Sequence, residues 1–385
     1  LKPIKPNPLK DIKMVDLEGQ YLKIKEEIDT AIQEVINSTS FINGSAVFSF
    51  QKNLENYLDI PFVIPCANGT DALQIALMAL DLQPGDEVIT TPFTFIATAE
   101  VIELLHLKPV FVDVDPFTFN IDTAQIEKVI TEKTKVILPV HLFGQSCNMH
   151  DLMQLAKKYN LFVVEDACQS LGADHVQPHG TSVKVGTLGD LGCTSFFPSK
   201  NLGCFGDGGA IFTSNEVLAK KCKMIANHGS EKKYYHDVIG INSRLDSIQA
   251  AILNVKLSYL DDYNSTRQKA AQFYSKLLQN QAHFKTPVVT SFSTHIFHQY
   301  TLILNGLDRD EVQQKLKKRG IPSMVYYPIP LHLQKAFHHW GYQAGDFPIS
   351  ESLATSVLSL PMHTELTEEQ QVYIVDSLLS MVDGR

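Results

Sequence analysis

The chain has 385 residues, 44% hydrophobic and 19% charged, with a formal net charge of −9. That length and balance exclude a disordered or fibrous chain and leave room for two packed domains. The acidic charge and the lack of any Lys/Arg block argue against nucleic acid as the main partner. Leu1 to Gln20 holds three prolines and four lysines but no apolar run, so no secretory signal is expected. No stretch approaches the roughly 18 continuous apolar residues of a membrane span. Cys66, Cys147, Cys168, Cys193, Cys204 and Cys222 form no C-x-x-C pair. Such usage fits a reduced cytoplasm and predicts neither a zinc site nor a disulfide framework.

In chain order, Ile24, Ile28, Ile32 and Val35/Ile36 predict an amphipathic helix over Leu17 to Asn37, and Val47 to Leu58 reads as a second. Strands are then expected at Phe62–Ile64, Glu87–Thr90, Val110–Val114, Lys135–Val140 and Leu161–Glu165. Helices are expected between them at Asp71–Leu80, Ile96–Leu105, Thr123–Ile130 and Met149–Lys158. This β-α alternation predicts an α/β fold, a mostly parallel sheet covered by helices on both faces, with function collected at the carboxyl ends of the strands.

The runs Cys193–Phe197 and Ala210–Thr213 are joined by about a dozen residues without helical pattern, too few for a parallel crossover, so one antiparallel strand is expected. Helical stretches at Leu245–Leu260 and Ser265–Leu278 follow. The division is read as a large α/β domain over 1–260 and a smaller α+β domain over 261–385. In the latter, strands are expected near Tyr300–Leu304 and Ile321–Tyr326 and helices near Arg309–Arg319 and Glu368–Val382. There is no internal repeat.

Lys200 sits in Ser195-Phe-Phe-Pro-Ser-Lys-Asn-Leu-Gly203 before a glycine-rich run, and Asp166 closes the apolar run Leu161–Glu165. Each has a plain explanation: a surface lysine, and a helix N-cap. Together they match the needs of a pyridoxal phosphate enzyme. A lysine amine forms a Schiff base with the cofactor aldehyde, and a carboxylate keeps the pyridine nitrogen protonated. Gln169 could donate to the ring hydroxyl or be an ordinary turn residue. In Cys66-Ala-Asn-Gly-Thr-Asp-Ala-Leu73, a helix N-terminus with Gly69 could cradle a phosphate, or Thr70 or Asp71 could simply cap the helix. The Asp71 N–H is expected to face the anion while its carboxylate turns back as the cap. Phe93 could stack on a planar ring or pack in the core. Asn227-His-Gly-Ser and Gly240-Ile-Asn-Ser-Arg-Leu-Asp246 are dense in polar groups and could equally be a capping loop.

In this order, these segments, with Val15-Asp-Leu-Glu-Gly-Gln-Tyr21, Pro139-Val-His-Leu-Phe-Gly144 and Tyr327-Pro-Ile-Pro-Leu-His332, resemble the DegT/DnrJ/StrS nucleotide-sugar aminotransferases. That group lies within fold type I of the pyridoxal phosphate enzymes, and the resemblance covers nearly the whole chain. It implies a seven-stranded, mostly parallel sheet with a smaller C-terminal domain. It also implies a cytoplasmic homodimer with shared sites, and L-glutamate as donor to a nucleoside-diphosphate keto-sugar, in bacterial surface-polysaccharide or glycosylated-metabolite synthesis. Pyridoxal 5′-phosphate would alternate with pyridoxamine phosphate in a ping-pong scheme.

By resemblance, Lys200 carries the Schiff base and shuttles the proton, Asp166 pairs with the ring nitrogen, Gln169 binds the ring oxygen and Phe93 stacks. Gly69, Thr70, Asp71 and Ser195 hold the phosphate, and Asn242 arrives from the partner subunit. Arg244, Tyr326, Tyr327 and His332 are assigned to the sugar and its diphosphate. Cys168 stands where the group often has Ala. Amination at C3 is favoured, with a C4 enzyme or a cofactor-binding regulator without turnover as alternatives. A dinucleotide-dependent oxidoreductase is disfavoured, because Cys66–Leu73 holds one glycine in place of G-x-G-x-x-G.

Overall fold

Strands and helices alternate as the apolar periods predict, in a computed structural model that describes residues 12–382. The reading of Leu1 to Gln20 therefore falls mostly outside the described residues. The helix expected over Leu17 to Asn37 is two helices, α1 (Leu17–Lys23) and α2 (Lys25–Ser38), with Ile24 between them at φ −123° and ψ 21°. The break turns Ile24 inward to join Ile28 and Ile252. Helix α3 (Ser45–Leu58) buries Val47, Phe50, Leu54 and Leu58, one face at helical spacing.

The alternating part comprises β1 (Phe62–Cys66), α4 (Gly69–Met78), β2 (Glu87–Thr90), α5 (Ala97–Leu104), β3 (Lys108–Phe111), α6 (Thr123–Ile126), β4 (Thr134–Ile137), α7 (Met149–Tyr159) and β5 (Phe162–Asp166). The helix expected over Thr123 to Ile130 stops at α6 and tightens into a 3-10 turn at Glu127–Val129. A small hairpin, β6 (Asp174–Val176) with β7 (Ser182–Lys184), is too short to announce itself by alternation. Then come β8 (Leu191–Ser195) and β9 (Gly209–Thr213).

These strands form a seven-stranded sheet in the order β1-β9-β8-β5-β4-β2-β3. Pairing is parallel from β3 through β2, β4 and β5 to β8, while β9 runs antiparallel to both β8 and β1. The short link around Lys200 demands that reversal. Because β1, β2, β5 and β8 point the same way, their ends at Cys66, Thr90, Asp166 and Ser195 share one edge of the sheet. Strands β2 and β9 are buried throughout, as expected of a sheet covered on both faces.

Helices α8 (Glu216–Ile225), α9 (Ser247–Leu257) and α10 (Leu260–Leu277) follow. Beyond them are β10 (Phe284–Lys285), β11 (Tyr300–Leu304), α11 (Arg309–Lys318), α12 (Pro348–Ser356), β12 (Val357–Leu360) and α13 (Glu368–Leu379). A second, antiparallel sheet has the order β10-β11-β12. The strand expected over Ile321 to Tyr326 is absent: Met324 alone bridges to Ser359. Pro322 has no N–H to give a ladder, and β12 takes the place beside β11. Among the described residues no helix is long and apolar enough to cross a membrane, no cluster could hold a metal ion, and all six cysteines are free.

Candidate active site

The link from β8 to β9 is a nested turn. Lys200 N donates to Phe197 O at 2.8 Å, and Cys204 N donates to Phe196 O at 2.8 Å. The coil is tight enough that a Cβ on Gly203 would stand 2.4 Å from the Pro198 carbonyl oxygen. Asn201 Nδ2 pins the turn to Asn264 Oδ1 at 2.7 Å and Ile296 O at 3.1 Å. Lys200 Nζ has no hydrogen-bond or ion-pair partner among the described residues. Burial pulls its amine below the ordinary lysine value, against opposing pulls from Cys168 and Asp166. A desolvated, unpaired amine is a ready nucleophile and base.

Asp166 ends β5, one strand away from β8, and is buried. Its Oδ2 accepts from Thr98 Oγ1 at 2.9 Å and its Oδ1 from Cys168 N at 3.2 Å, so the carboxylate also does the local capping that its position suggested. Behind it, Glu165 is fully buried and accepts from His141 Nε2 at 2.8 Å and from the N–H groups of Gly186, Leu188 and Gly189. Burial opposes a charge on the ring while the Glu165 carboxylate draws it toward protonation, and Cys147 N donates to His141 Nδ1 at 3.0 Å. His141 N in turn donates to Asp166 O at 3.0 Å.

Gln169 accepts at Oε1 from Phe143 N at 2.8 Å, which turns its NH2 toward the Tyr327 hydroxyl at 3.1 Å. Phe93 is fully buried, stacked on Phe119 at 6.2 Å and edge-on to Tyr327 at 6.2 Å. Thus Tyr327 joins Gln169 and Phe93 at one place.

Gly69 opens α4, and a Cβ there would stand 2.7 Å from Ser195 Cβ and 3.0 Å from Cys168 Sγ. Only glycine lets this helix N-terminus touch the end of β8. Thr70 and Asp71, both half-buried, complete the first turn. The cap is neither of them: Asn68 Oδ1 accepts from Asp71 N at 2.8 Å, so that N–H is turned to the cap and not to an anion. The N–H groups of Gly69 and Thr70 remain at the positive end of the helix.

His332 is placed differently from the expectation. It is fully buried, bonded through Nε2 to Glu351 at 3.0 Å and packed edge-on against Phe347. Tyr326 is half-buried beside Tyr327. Asn242 is exposed, and Arg244 lines a cavity of about 770 Å³ with Phe62, Ile64, Lys220 and Asn227 along the β1 edge. No hydrogen bond or ion pair joins either residue to Lys200 or Asp166. Sequence reasoning missed Thr98 and the His141–Glu165 pair. The Thr91–Phe95 segment was the one available sign of Thr98, whereas a buried pair separated by 24 positions leaves no local pattern.

A family model described as the DegT/DnrJ/EryC1/StrS aminotransferase family matches residues 22–379. A relative from Geobacillus stearothermophilus, named a pleiotropic regulatory protein, is 48% identical over 96% of this chain and 98% of its own. From Pseudomonas aeruginosa, UDP-2-acetamido-2-deoxy-3-oxo-D-glucuronate aminotransferase is 43% identical over 92% of this chain and 96% of its own. The solved structure of NtdA from Bacillus subtilis, with bound cofactor PMP, matches with a TM-score of 0.88 at 34% identity, covering 97% of this chain and 86% of its own. With the glycine at the head of α4, the lysine turn and the carboxylate strand end all in place, the chain belongs to the DegT/DnrJ/EryC1/StrS aminotransferase family.

Proposed function

We propose that this aminotransferase moves an amino group from L-glutamate to C3 of a keto-sugar linked to a nucleoside diphosphate. Its cofactor is pyridoxal 5′-phosphate, alternating with pyridoxamine phosphate between two half-reactions. The observation that carries the reading is the unpartnered, half-buried Lys200 amine beside the strand that ends in Asp166. The residues fit the cofactor: Gly69 leaves no room for a side chain where a phosphate would meet α4, and Gln169 has its NH2 turned inward.

When bound, the cofactor supplies an electron sink for the carbon that loses its proton. Lys200 Nζ would take that proton and return it on the other carbon as general base and acid. Asp166, oriented by Thr98, would hold a proton on the ring nitrogen, whereas Phe93, expected to stack on the ring, has no exposed face and packs behind the site against Phe119 and Tyr327. Gln169 Nε2, which donates to the Tyr327 hydroxyl, would donate its other hydrogen to the ring oxygen. The Gly69 and Thr70 N–H groups, with Ser195, would bind the phosphate. Tyr326, Tyr327 and Arg244 bind the sugar and diphosphate, while His332, tied to Glu351, supports the segment that carries the tyrosines.

The site is shared in a cytoplasmic homodimer. Asn242 is exposed, Arg244 opens onto the β1-edge cavity, and the exposed Phe48 and Ile239 offer apolar surface to a second copy. The 3-oxo sugar in the name of the Pseudomonas relative supports C3 over C4. The name of the Geobacillus relative supports a second reading, a cofactor-binding regulator without turnover.

A visible spectrum with pyridoxal 5′-phosphate, before and after L-glutamate, separates them. A yellow band that glutamate bleaches, and that Lys200→Ala abolishes, is the expected result. A band indifferent to glutamate favours the regulator or another donor, and no band overturns the cofactor reading.

A further inference from the structure

Lys256 is a lysine buried to 2% exposure in α9, and its Nζ has one hydrogen-bond acceptor, the Gly203 carbonyl at 2.5 Å. No carboxylate pairs with it among the described residues. The other charged or titratable groups that face it are Arg267, which repels it, and Cys204, and the Phe205 ring lies 5.7 Å away. Burial pulls its amine down to about 8. A desolvated lysine with no counter-charge is costly, and protein interiors keep such groups where something depends on them.

What Lys256 touches is the end of the turn that carries Lys200. Gly203 is three residues beyond Lys200, and a Cβ there would collide with the Pro198 and Phe197 carbonyl oxygens, so the coil closes on itself at that point. Two turns earlier on the same face of α9, Gln249 accepts from Phe205 N at 2.8 Å. Helix α9 thus grips the outgoing arm of the turn at two carbonyl or amide sites, one neutral and one charged.

We propose that Lys256 is a positioning residue for Lys200, its ammonium holding the Gly203 carbonyl so that the turn presents the Lys200 amine toward Asp166. This rests on the assignment of Lys200 as the reactive lysine. The bond is charge-assisted and dry, so it restrains the backbone more strongly than a surface contact. Asn201 holds the turn from the α10 side, and Lys256 is its counterpart on α9.

The test compares Lys256→Met, which fills the space without a donor, with Lys256→Gln, which keeps one. For each, reconstitution of the purified protein with pyridoxal 5′-phosphate is followed by its visible absorbance, alongside the rate at which L-glutamate bleaches the yellow band in a single half-reaction, and melting temperature. Lys256→Met is expected to take up the cofactor at least tenfold more slowly and to lose tenfold or more in the limiting rate of the glutamate half-reaction, with the half-saturating glutamate concentration within twofold. Its melting temperature should be equal or higher. Lys256→Gln should recover most of both rates. Wild-type rates in Lys256→Met, equal losses in both variants, or melting temperatures that fall together with the rates would each overturn the proposal. Wild-type protein that forms no cofactor band would instead overturn the Lys200 assignment beneath it.

Discussion

Gly69 shows how a single hydrogen in place of a methyl sets the site. Its backbone is helical, so flexibility is not the reason for glycine; the reason is that Ser195 Cβ and Cys168 Sγ occupy the space of a side chain. Gly69→Ala should push α4 away from β8, costing about 1–3 kcal/mol of packing. Cofactor affinity should fall by roughly tenfold or more, since 1.4 kcal/mol is a factor of ten. An absorbance titration with pyridoxal 5′-phosphate reads this directly, and unchanged affinity would move the phosphate elsewhere. Glu165 gives a pH prediction. Burial alone would raise its carboxyl, but His141 and the Gly189 and Gly186 N–H groups outweigh burial and hold it below the usual value. A depressed carboxyl contributes stability that is fully present above about pH 4.3 and is lost as pH falls through its lower folded value. Melting temperature should therefore fall on acidification below that point, and Glu165→Gln should be less stable at pH 7 but less acid-dependent. Parallel acid slopes in the two proteins would assign the titration to other groups.

Helices and strands show where the chain could be read and where it could not. Long apolar periods gave β1, β2, β5, β8 and β9 nearly to their ends, and the missing helix between β8 and β9 revealed the antiparallel strand. The misreadings have physical causes. Ile321–Tyr326 is apolar enough for a strand, but Pro322 removes the N–H that a ladder needs. The true third strand, β12, directly follows α12, so its alternation is hidden behind a helical period. At α4 Thr70 and Asp71 were the expected caps, and the fold uses Asn68, just ahead of the helix, in their place. Asn68→Ala should cost about 1 kcal/mol in stability. It should also free the Asp71 N–H and loosen the first turn, so cofactor affinity should drop further than the melting temperature suggests. Asp71→Ala, which leaves the backbone donor to Asn68 intact, should do much less, and equal effects would restore Asp71 as the cap.

At the scale of the whole molecule, the residues assigned to the site fall into two groups. Lys200, Asp166, Gln169, Phe93, Gly69, Ser195 and Tyr327 converge on the carboxyl edge of the seven-stranded sheet. Asn242 and Arg244 do not: one is exposed and the other opens onto the β1-edge cavity. Motifs in the sequence named both groups, and the family resemblance, not the local pattern, assigned Asn242 to the partner subunit and left Arg244 unassigned to either chain. A shared site follows if the second group serves a partner, and a two-fold dimer makes the exchange reciprocal. Complementation tests this. Lys200→Ala and Arg244→Ala proteins should each be inactive or nearly so alone. After mixing and subunit exchange, half of the dimers pair unlike chains, and each of these has one site with both residues intact. Activity should recover to about a quarter of wild type under random two-fold pairing. If Arg244 instead served its own chain's Lys200, every site in the mixture would lack one of the two residues and no activity would return.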